Sequence, residues 1–343
     1  MGLRAVVNGA VAPGRVARES DAARAFHRRL PGYAPTPLRV VAPRVWLKDE
    51  SSRLGLPAFK VLGASWAVER ALAEAGSPVQ TLVAASAGNH GRAVAWVART
   101  RGLACRVYLP SRSVAARREA IAREGAEVVV VNGGYEEAVA LAASDGERPG
   151  VLEVADVGES GPARWVIDGY ATLFAEVAEQ ADDFDLVIVP VGVGSLGAAA
   201  ARFGAAHGIP VIAAEPATAA CLAASLEAGE PVTIPTPGTT MAGLDCAEVS
   251  AAAWADLRVG IAGVIAVTDA ETHAAMFELA TLGHAIGDSG AAPLAALDAL
   301  RSDPACATLR AAVGFEASSS RVLLVATEGI TDPDGYAGIV ALP

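Results

Sequence analysis

The chain has 343 residues, 52% of them hydrophobic, and a formal net charge of -11 at pH 7. That length suits two domains or one large one, and the acidity excludes the basic face that non-specific nucleic-acid binding needs. Mean hydropathy is +0.38, yet no uninterrupted apolar run reads as a membrane span, and Cys105, Cys221, Cys246 and Cys306 lack metal-ligand spacing, so no metal site is expected.

The first 45 residues mix Arg, Pro and Gly, and residues 1–18 carry no long apolar stretch. A reduced, cytoplasmic setting is the expectation, with a Cys221–Cys246 pairing left open. Residues 21–30 predict a short helix capped by Ser20 or Asp21 and stopped at Pro31-Gly32. Pro35-Thr36-Pro37-Leu38 is extended by proline geometry. Residues 45–48 read as a short strand and Asp49-Glu50-Ser51-Ser52 as a polar turn.

Next comes Leu56-Pro57-Ala58-Phe59-Lys60-Val61-Leu62-Gly63-Ala64-Ser65, an apolar run at the opening of a predicted helix. Lys48 and Lys60 are the only lysines; every other basic side chain of this kind is arginine. Arginine neither gives up its proton nor forms an imine, whereas a desolvated lysine does both. Lys60 therefore reads either as a Schiff-base lysine or as a lysine snorkelling from a helix face.

Beyond it, helix and strand alternate. Helices are expected at 64–75, 89–101, 114–124 and 135–143, and strands at 81–85, 105–109, 127–131 and 151–154. After a linker at 156–162 a second series begins. It has helices at 163–181, 196–207, 218–228, 269–282 and 291–301, the fourth capped by Asp269, and strands at 186–191, 211–214, 264–267 and 321–326. Such alternation implies right-handed crossovers and parallel sheets, and two series imply two doubly wound α/β domains with a crevice between them.

Three turns from strand to helix carry candidate chemistry, because open parallel sheets bind ligands there. Gly192-Val193-Gly194-Ser195-Leu196-Gly197 offers converging amides, a helix N-terminus and the Ser195 hydroxyl, which suit a phosphate. It is not a P-loop, for no Gly-Lys-Ser/Thr follows. It also fits dinucleotide spacing, with Glu215 about 20 residues on as that reading's only support, or glycine kept for close packing. Ser86-Ala87-Gly88-Asn89-His90-Gly91 offers amides suited to a substrate carboxylate, and Asn89 a neutral contact for a phenolic oxygen; Asn89 as a helix cap is the alternative. Thr327 ends the last strand, where its hydroxyl is either a neutral partner for a ring nitrogen or an ordinary strand-end group. A lysine, an anion loop, a carboxylate loop and a neutral hydroxyl together suggest pyridoxal 5'-phosphate.

Here the chain resembles the fold-type-II pyridoxal-phosphate enzymes, the tryptophan-synthase-β-like group, and within it the diaminopropionate ammonia-lyases. The resemblance runs through Phe26-His27, Pro31-Gly32-Tyr33, Pro35-Thr36-Pro37-Leu38, Lys48-Asp49-Glu50-Ser51, Arg53-Leu54-Gly55-Leu56 and Ala58-Phe59-Lys60-Val61-Leu62-Gly63. It continues through Gly88-Asn89-His90-Gly91-Arg92, Val94-Ala95-Trp96 and Asp168-Gly169-Tyr170-Ala171-Thr172-Leu173. Gly192-Val193-Gly194, Met241-Ala242-Gly243-Leu244 with Cys246, and Thr327-Glu328-Gly329 with Thr331-Asp332 complete it.

The resemblance implies a large cofactor-binding domain of residues 1–63 and 158–343 and a smaller mobile domain of 64–157. It implies that Lys60 holds the cofactor covalently and that Asn89 contacts its phenolic oxygen. Gly192, Val193, Gly194 and Ser195 then hold the phosphate, and Thr327 faces the pyridine nitrogen. Ser86, Ala87, Gly88 and His90 line the substrate, and Asp156 is an active-site carboxylate. A homodimer is implied too. The implied reaction is β-elimination of 2,3-diaminopropionate, or a similar β-substituted L-amino acid, to pyruvate and ammonia. A serine/threonine-type dehydratase, a β-replacement synthase and a catalytically silent cofactor-binding protein are the alternatives. Diaminopropionate ammonia-lyases carry an aspartate before Gly-Asn-His-Gly that serves the D-isomer; here the position is Ala87, and a methyl group accepts no proton. The chain is also short between Leu38 and Val45 relative to that family.

Overall fold

A computed structural model describes residues 4–18, 20–86, 88–111, 113–155, 158 and 161–341. Its strands are β1 (Ala5–Val7), β2 (Leu38–Ala42), β3 (Val45–Asp49), β4 (Thr81–Ala85), β5 (Ala104–Pro110) and β6 (Glu127–Val131). They continue with β7 (Val151–Glu153), β8 (Leu186–Pro190), β9 (Val211–Pro216), β10 (Gly263–Val267) and β11 (Val322–Ala326). The helices are α1 (Ala22–His27), α2 (Val61–Glu74), α3 (Asn89–Arg101), α4 (Ala115–Arg123), α5 (Tyr135–Gly146), α6 (Pro162–Gln180) and α7 (Ser195–His207). After them come α8 (Cys221–Ala228), α9 (Ala251–Gly260), α10 (Asp269–Thr281), α11 (Asp288–Ser302), α12 (Ala307–Ala312) and α13 (Pro333–Val340).

Two sheets form. The larger runs β1-β10-β9-β8-β11-β3-β2, parallel in its centre with antiparallel edges at β1 and β2. The smaller runs β6-β5-β4-β7 and is parallel throughout. Every residue of β8, β9, β10 and β11 is buried, and their Val, Ile, Leu and Ala runs lack polar alternation because helices cover both faces.

The strand order locates the crevices. In the large sheet β8, β9 and β10 progress one way, and β11 lies on the other side of β8. In the small sheet β4, β5 and β6 progress one way, and β7 lies on the other side of β4. Each reversal leaves a gap at the carboxyl ends of the strands where no helix crosses. The loops after β8, β11 and β4 are those that begin at residues 191, 327 and 86.

Helix α2 joins the two cores. Leu62 and Ala67 pack into the core on one face of the large sheet, while Val61, Ala64 and Val68 pack into the core of the small one. Opposite faces of one helix are therefore buried at the spacing a 3.6-residue period allows. Its approach to α6 is very close. A β-carbon at Gly169 would lie 2.6 Å from the Leu62 carbonyl oxygen and 2.8 Å from the Gly63 α-carbon. Those are backbone atoms and cannot rotate away. Gly169→Ala is expected to lower stability by about 1–3 kcal/mol or more, read as a lower urea midpoint. Gly76→Ala, where nothing lies within 4 Å, is the control; equal midpoints for the two variants would contradict the close approach.

The expected elements recur with shifted ends. Helix α2 starts at Val61, three residues before the position the pattern predicts. Helix α11 starts at Asp288 and carries Pro293 inside it. Thr268, not Asp269, caps α10, with its hydroxyl accepting the Glu271 amide in a capping box. Strands β1 and β2 and helices α9, α12 and α13 were not expected. The edge strand β1 and the two-turn helices α12 and α13 are too short to show a period.

Candidate active site

The segment before α2 is stitched to the end of β11. Ala58 pairs with Glu328 in an isolated antiparallel bridge. The Phe59 amide donates to the Thr327 carbonyl at 3.2 Å, and the Gly329 amide to the Pro57 carbonyl at 2.9 Å. Lys60 follows as the half-buried N-cap residue of α2, and its carbonyl accepts the Ala64 amide. Its ammonium lies 5.6 Å from the Phe59 ring centroid, and that ring packs on Tyr170. Lys60 thereby follows directly on a segment bonded to Thr327 at the carboxyl end of β11.

Beneath this helix start, His27 braces α2. Its Nε2 meets the Leu62 carbonyl at 3.0 Å, so it carries the proton, and its Nδ1 accepts from the Thr172 hydroxyl at 2.7 Å. Burial pushes its pKa down to about 4. The imidazole is neutral at physiological pH and fastens α1 to α2 and α6.

The glycine loop follows β8. A β-carbon on Gly192 would lie 2.9 Å from the Cys246 sulfur and 3.0 Å from the Gly243 carbonyl. Gly194 has φ +99 and caps α7, and Ser195 is the first residue of that 13-residue helix. The loop thus needs glycine for packing and for conformation, and it aims the amides of a helix N-terminus outward. Val193 is anchored through its carbonyl, which accepts the Ser250 amide at 2.7 Å.

The loop after β4 opens α3. Gly88 is the cap residue and Asn89 the first helical one, which leaves the Asn89 carboxamide for another task. It donates to Glu328 Oε2 at 2.5 Å and so joins the small sheet's loop to the large sheet's. Ser86 Oγ accepts the Gly88 amide at 3.3 Å. His90 is buried, with its Nε2 2.7 Å from the Val154 carbonyl at the end of β7, so its imidazole ties α3 to β7. Ala87 and Asp156 lie outside the described residues.

Glu328 appears in the sequence only within the Thr327-Glu328-Gly329 match, with no role expected of it. It is 6% exposed, and its Oε1 accepts the Ser289 amide at 3.3 Å at the start of α11. Ser289 in turn receives the Gly243 amide on its hydroxyl, and Gly243 abuts Gly192. A continuous set of contacts therefore runs from the glycine loop through Gly243, Ser289 and Glu328 to Asn89. The only sequence signal was the position of a carboxylate directly after Thr327.

Glu215 removes the support for a dinucleotide. It is wholly buried on β9, and its two oxygens accept the Leu222 and Ala223 amides at 2.8 and 2.9 Å, capping α8. It has no freedom to meet a ribose. No disulfide joins Cys221 to Cys246.

The site fits pyridoxal 5'-phosphate. A half-buried lysine and a neutral hydroxyl residue lie at the carboxyl end of β11, and a glycine-rich loop at a helix N-terminus follows the neighbouring strand β8. The family described as pyridoxal-phosphate dependent enzyme matches residues 29–313. The chain belongs to that family. Among its relatives, diaminopropionate ammonia-lyase of Salmonella typhimurium strain LT2 is 32% identical over 92% of this chain and 90% of its own length. That of Escherichia coli K12 is 29% identical over 97% and 94%. A crystal structure of the Escherichia coli enzyme with an aminoacrylate-PLP azomethine reaction intermediate superposes with a TM-score of 0.88. It is 30% identical and covers 98% of this chain and 96% of its own. The present pyridoxal-phosphate dependent enzyme thus has a fold-type-II architecture. When bound, the cofactor supplies an electron sink for a carbanion beside the substrate nitrogen.

Proposed function

We propose that this enzyme is a β-eliminating ammonia-lyase that converts 2,3-diaminopropionate, or a close β-substituted L-amino acid, and water to pyruvate and ammonia. The observation that carries the reading is the stitching of the 57–59 segment, just before Lys60, to the Thr327 strand end in a chain related over almost its whole length to ammonia-lyases.

Each residue has a task in this reading. Lys60 would hold the cofactor, and its Nζ would take the substrate's α-proton. The amides of Gly192, Val193, Gly194 and Ser195 hold the phosphate. Asn89 steadies the phenolic oxygen. Thr327 would offer the pyridine nitrogen a neutral hydroxyl, and a cofactor so held would supply an electron sink suited to loss of the β-substituent rather than transamination. The amides of Ser86, Ala87, Gly88 and His90 take the substrate carboxylate, and the His90 ring is left to its Val154 contact. Asp156 protonates the leaving group or holds its ammonium. Residues 64–157 move as a small domain over a large one of 1–63 and 158–343. The working form is a cytoplasmic homodimer; no helix among the described residues is long and apolar enough to cross a membrane.

Keto-acid release tests the reading over L- and D-diaminopropionate, L-serine, L-threonine and β-chloroalanine. L-Diaminopropionate is expected to lead. Its D-isomer is expected to fall ~10²-fold or more behind, for want of a base at position 87. Equal turnover of the D-isomer would contradict the role given to Ala87. Preference for serine or threonine would make the enzyme a dehydratase, and no release from any of them would defeat the lyase reading.

A further inference from the structure

Three successive carbonyls of the loop after β8 are tied down. The Gly192 carbonyl accepts the Cys221 thiol, with the sulfur at 3.6 Å. The Val193 carbonyl accepts the Ser250 amide at 2.7 Å, and the Gly194 carbonyl the Ala198 amide at 2.8 Å. No peptide among the described residues is cis, so each amide points opposite to the carbonyl that shares its plane. The amides of Val193, Gly194 and Ser195 are thereby turned away from those three donors. Those of Val193 and Gly194 donate to no group among the described residues.

Two of the three anchors are backbone amides; the third is a side chain. Glycine on either side of Val193 lets a peptide plane turn at little cost, so the plane needs fixing from outside. Gly192 is buried, and the Cys221 thiol is the donor its carbonyl has among the described residues. The thiol is itself seated at the start of α8. Glu215 holds that first turn through the Leu222 and Ala223 amides, and its Oε1 lies 3.7 Å from the Cys221 sulfur. That oxygen already has the Leu222 amide, whereas the Gly192 carbonyl has no second donor, so the thiol proton belongs to Gly192. Burial, with Glu215 and Cys246 nearby, pushes the thiol pKa up, and the group stays a donor instead of a thiolate.

We infer that Cys221 is a positioning residue for the cofactor phosphate: its thiol locks the Gly192–Val193 peptide so that the Val193 amide faces the phosphate group. The inference rests on the reading that this loop holds that phosphate. A buried thiol otherwise behaves as a small apolar group, and alanine or valine supplies that without the S–H. The role is therefore separable from packing. It bears on the phosphate alone, and not on the aldehyde or ring of the cofactor.

The test compares pyridoxal 5'-phosphate with pyridoxal, which lacks the phosphate, as ligands of the full chain stripped of cofactor. Kd values come from absorbance titration, and the phosphorus NMR resonance of the bound cofactor is the second readout. The proteins are the wild type, Cys221→Ala, Cys221→Val and Cys221→Ser. Without the donor, Cys221→Ala and Cys221→Val are expected to raise the Kd for pyridoxal 5'-phosphate about 3–10-fold, to shift the phosphorus resonance and to leave the Kd for pyridoxal unchanged. Cys221→Ser keeps a hydroxyl donor and stays near the wild type in all three. Equal weakening of both ligands, an unchanged Kd for pyridoxal 5'-phosphate in the variants without a donor, or a serine variant as weak as the alanine one overturns the inference while the phosphate reading stands. A wild type that binds pyridoxal 5'-phosphate no more tightly than pyridoxal overturns both.

Discussion

Lys60→Ala is expected to lose the ~410–420 nm absorbance and to lower turnover by ~10³-fold or more, while the fold persists. Lys60→Arg should fail equally, because guanidinium neither forms the bond nor gives up the proton. Position 60 is a half-buried helix cap, so the loss of stability should stay within about 1 kcal/mol. The other lysine behaves in the opposite way. Lys48 lies on β3, is 0% exposed, and donates to Glu176, the Thr36 carbonyl and Gln180 at 2.7, 2.8 and 2.9 Å. Lys48→Ala should weaken folding without altering the spectrum of whatever remains folded. Spectra and urea midpoints of the two variants check the pair. A Lys60→Ala protein with the band and turnover intact would contradict the assignment.

Glu176→Gln should produce the largest loss of stability, about 3–5 kcal/mol at neutral pH. Glu176 is wholly buried on α6, and Arg53 and Lys48 both point at it. One oxygen accepts from Arg53 and from the Tyr33 hydroxyl, each at 2.7 Å. The other accepts from Lys48 at 2.7 Å, Arg53 at 2.8 Å and the Thr36 amide at 3.1 Å. Glu50 supplies a second buried anion, receiving Arg53 at 2.6 Å and the Thr36 hydroxyl at 2.5 Å. Two cations thus face two anions, and neutralising Glu176 leaves one cation without compensation. The cluster ties α6 to β3 and to the 50–53 turn that leads into the Lys60 segment.

The same cluster predicts an acid limb. Burial by itself would raise the Glu176 pKa, but Arg53 and Lys48 hold it down to about 2, from 4.5. A depressed carboxyl stabilises the fold above its unfolded pKa and loses that contribution as pH falls through the folded value. About 3 kcal/mol should disappear between pH 4.5 and 2 in the wild type and not in Glu176→Gln. His27 acts in a separate window. Its folded pKa is also depressed, but it is a base, so protons favour the unfolded chain between pH 6.5 and about 4. Urea midpoints from pH 7 to 2 resolve the two limbs, and an unchanged lower limb in Glu176→Gln would contradict the role given to the cluster.

What was legible in the sequence was whatever depends on neighbours in the chain. The contrast of lysine with arginine marked Lys60. The glycines after β8 and the Gly88 to Gly91 run after β4 were visible because turns require them. The α/β alternation followed from composition and period, and it led to parallel sheets. Asn89 as a cap did not survive, because Gly88 takes that position and Asn89 turns to a residue 239 positions away. Glu328 was overlooked for the same reason. The Lys48–Glu176 pair spans 128 positions, and a lysine in a short strand gives no sign that its partner is on a distant helix. Sequence also concealed the double duty of α2, whose two apolar faces read as one buried helix until both sheets are present.

The most direct measurement uses the scarcity of lysine. Purified protein carrying cofactor is reduced with borohydride, digested, and the modified peptide is sequenced. The account predicts a single cofactor-bearing peptide with the label on Lys60. A label on Lys48, or none on either lysine, would contradict it.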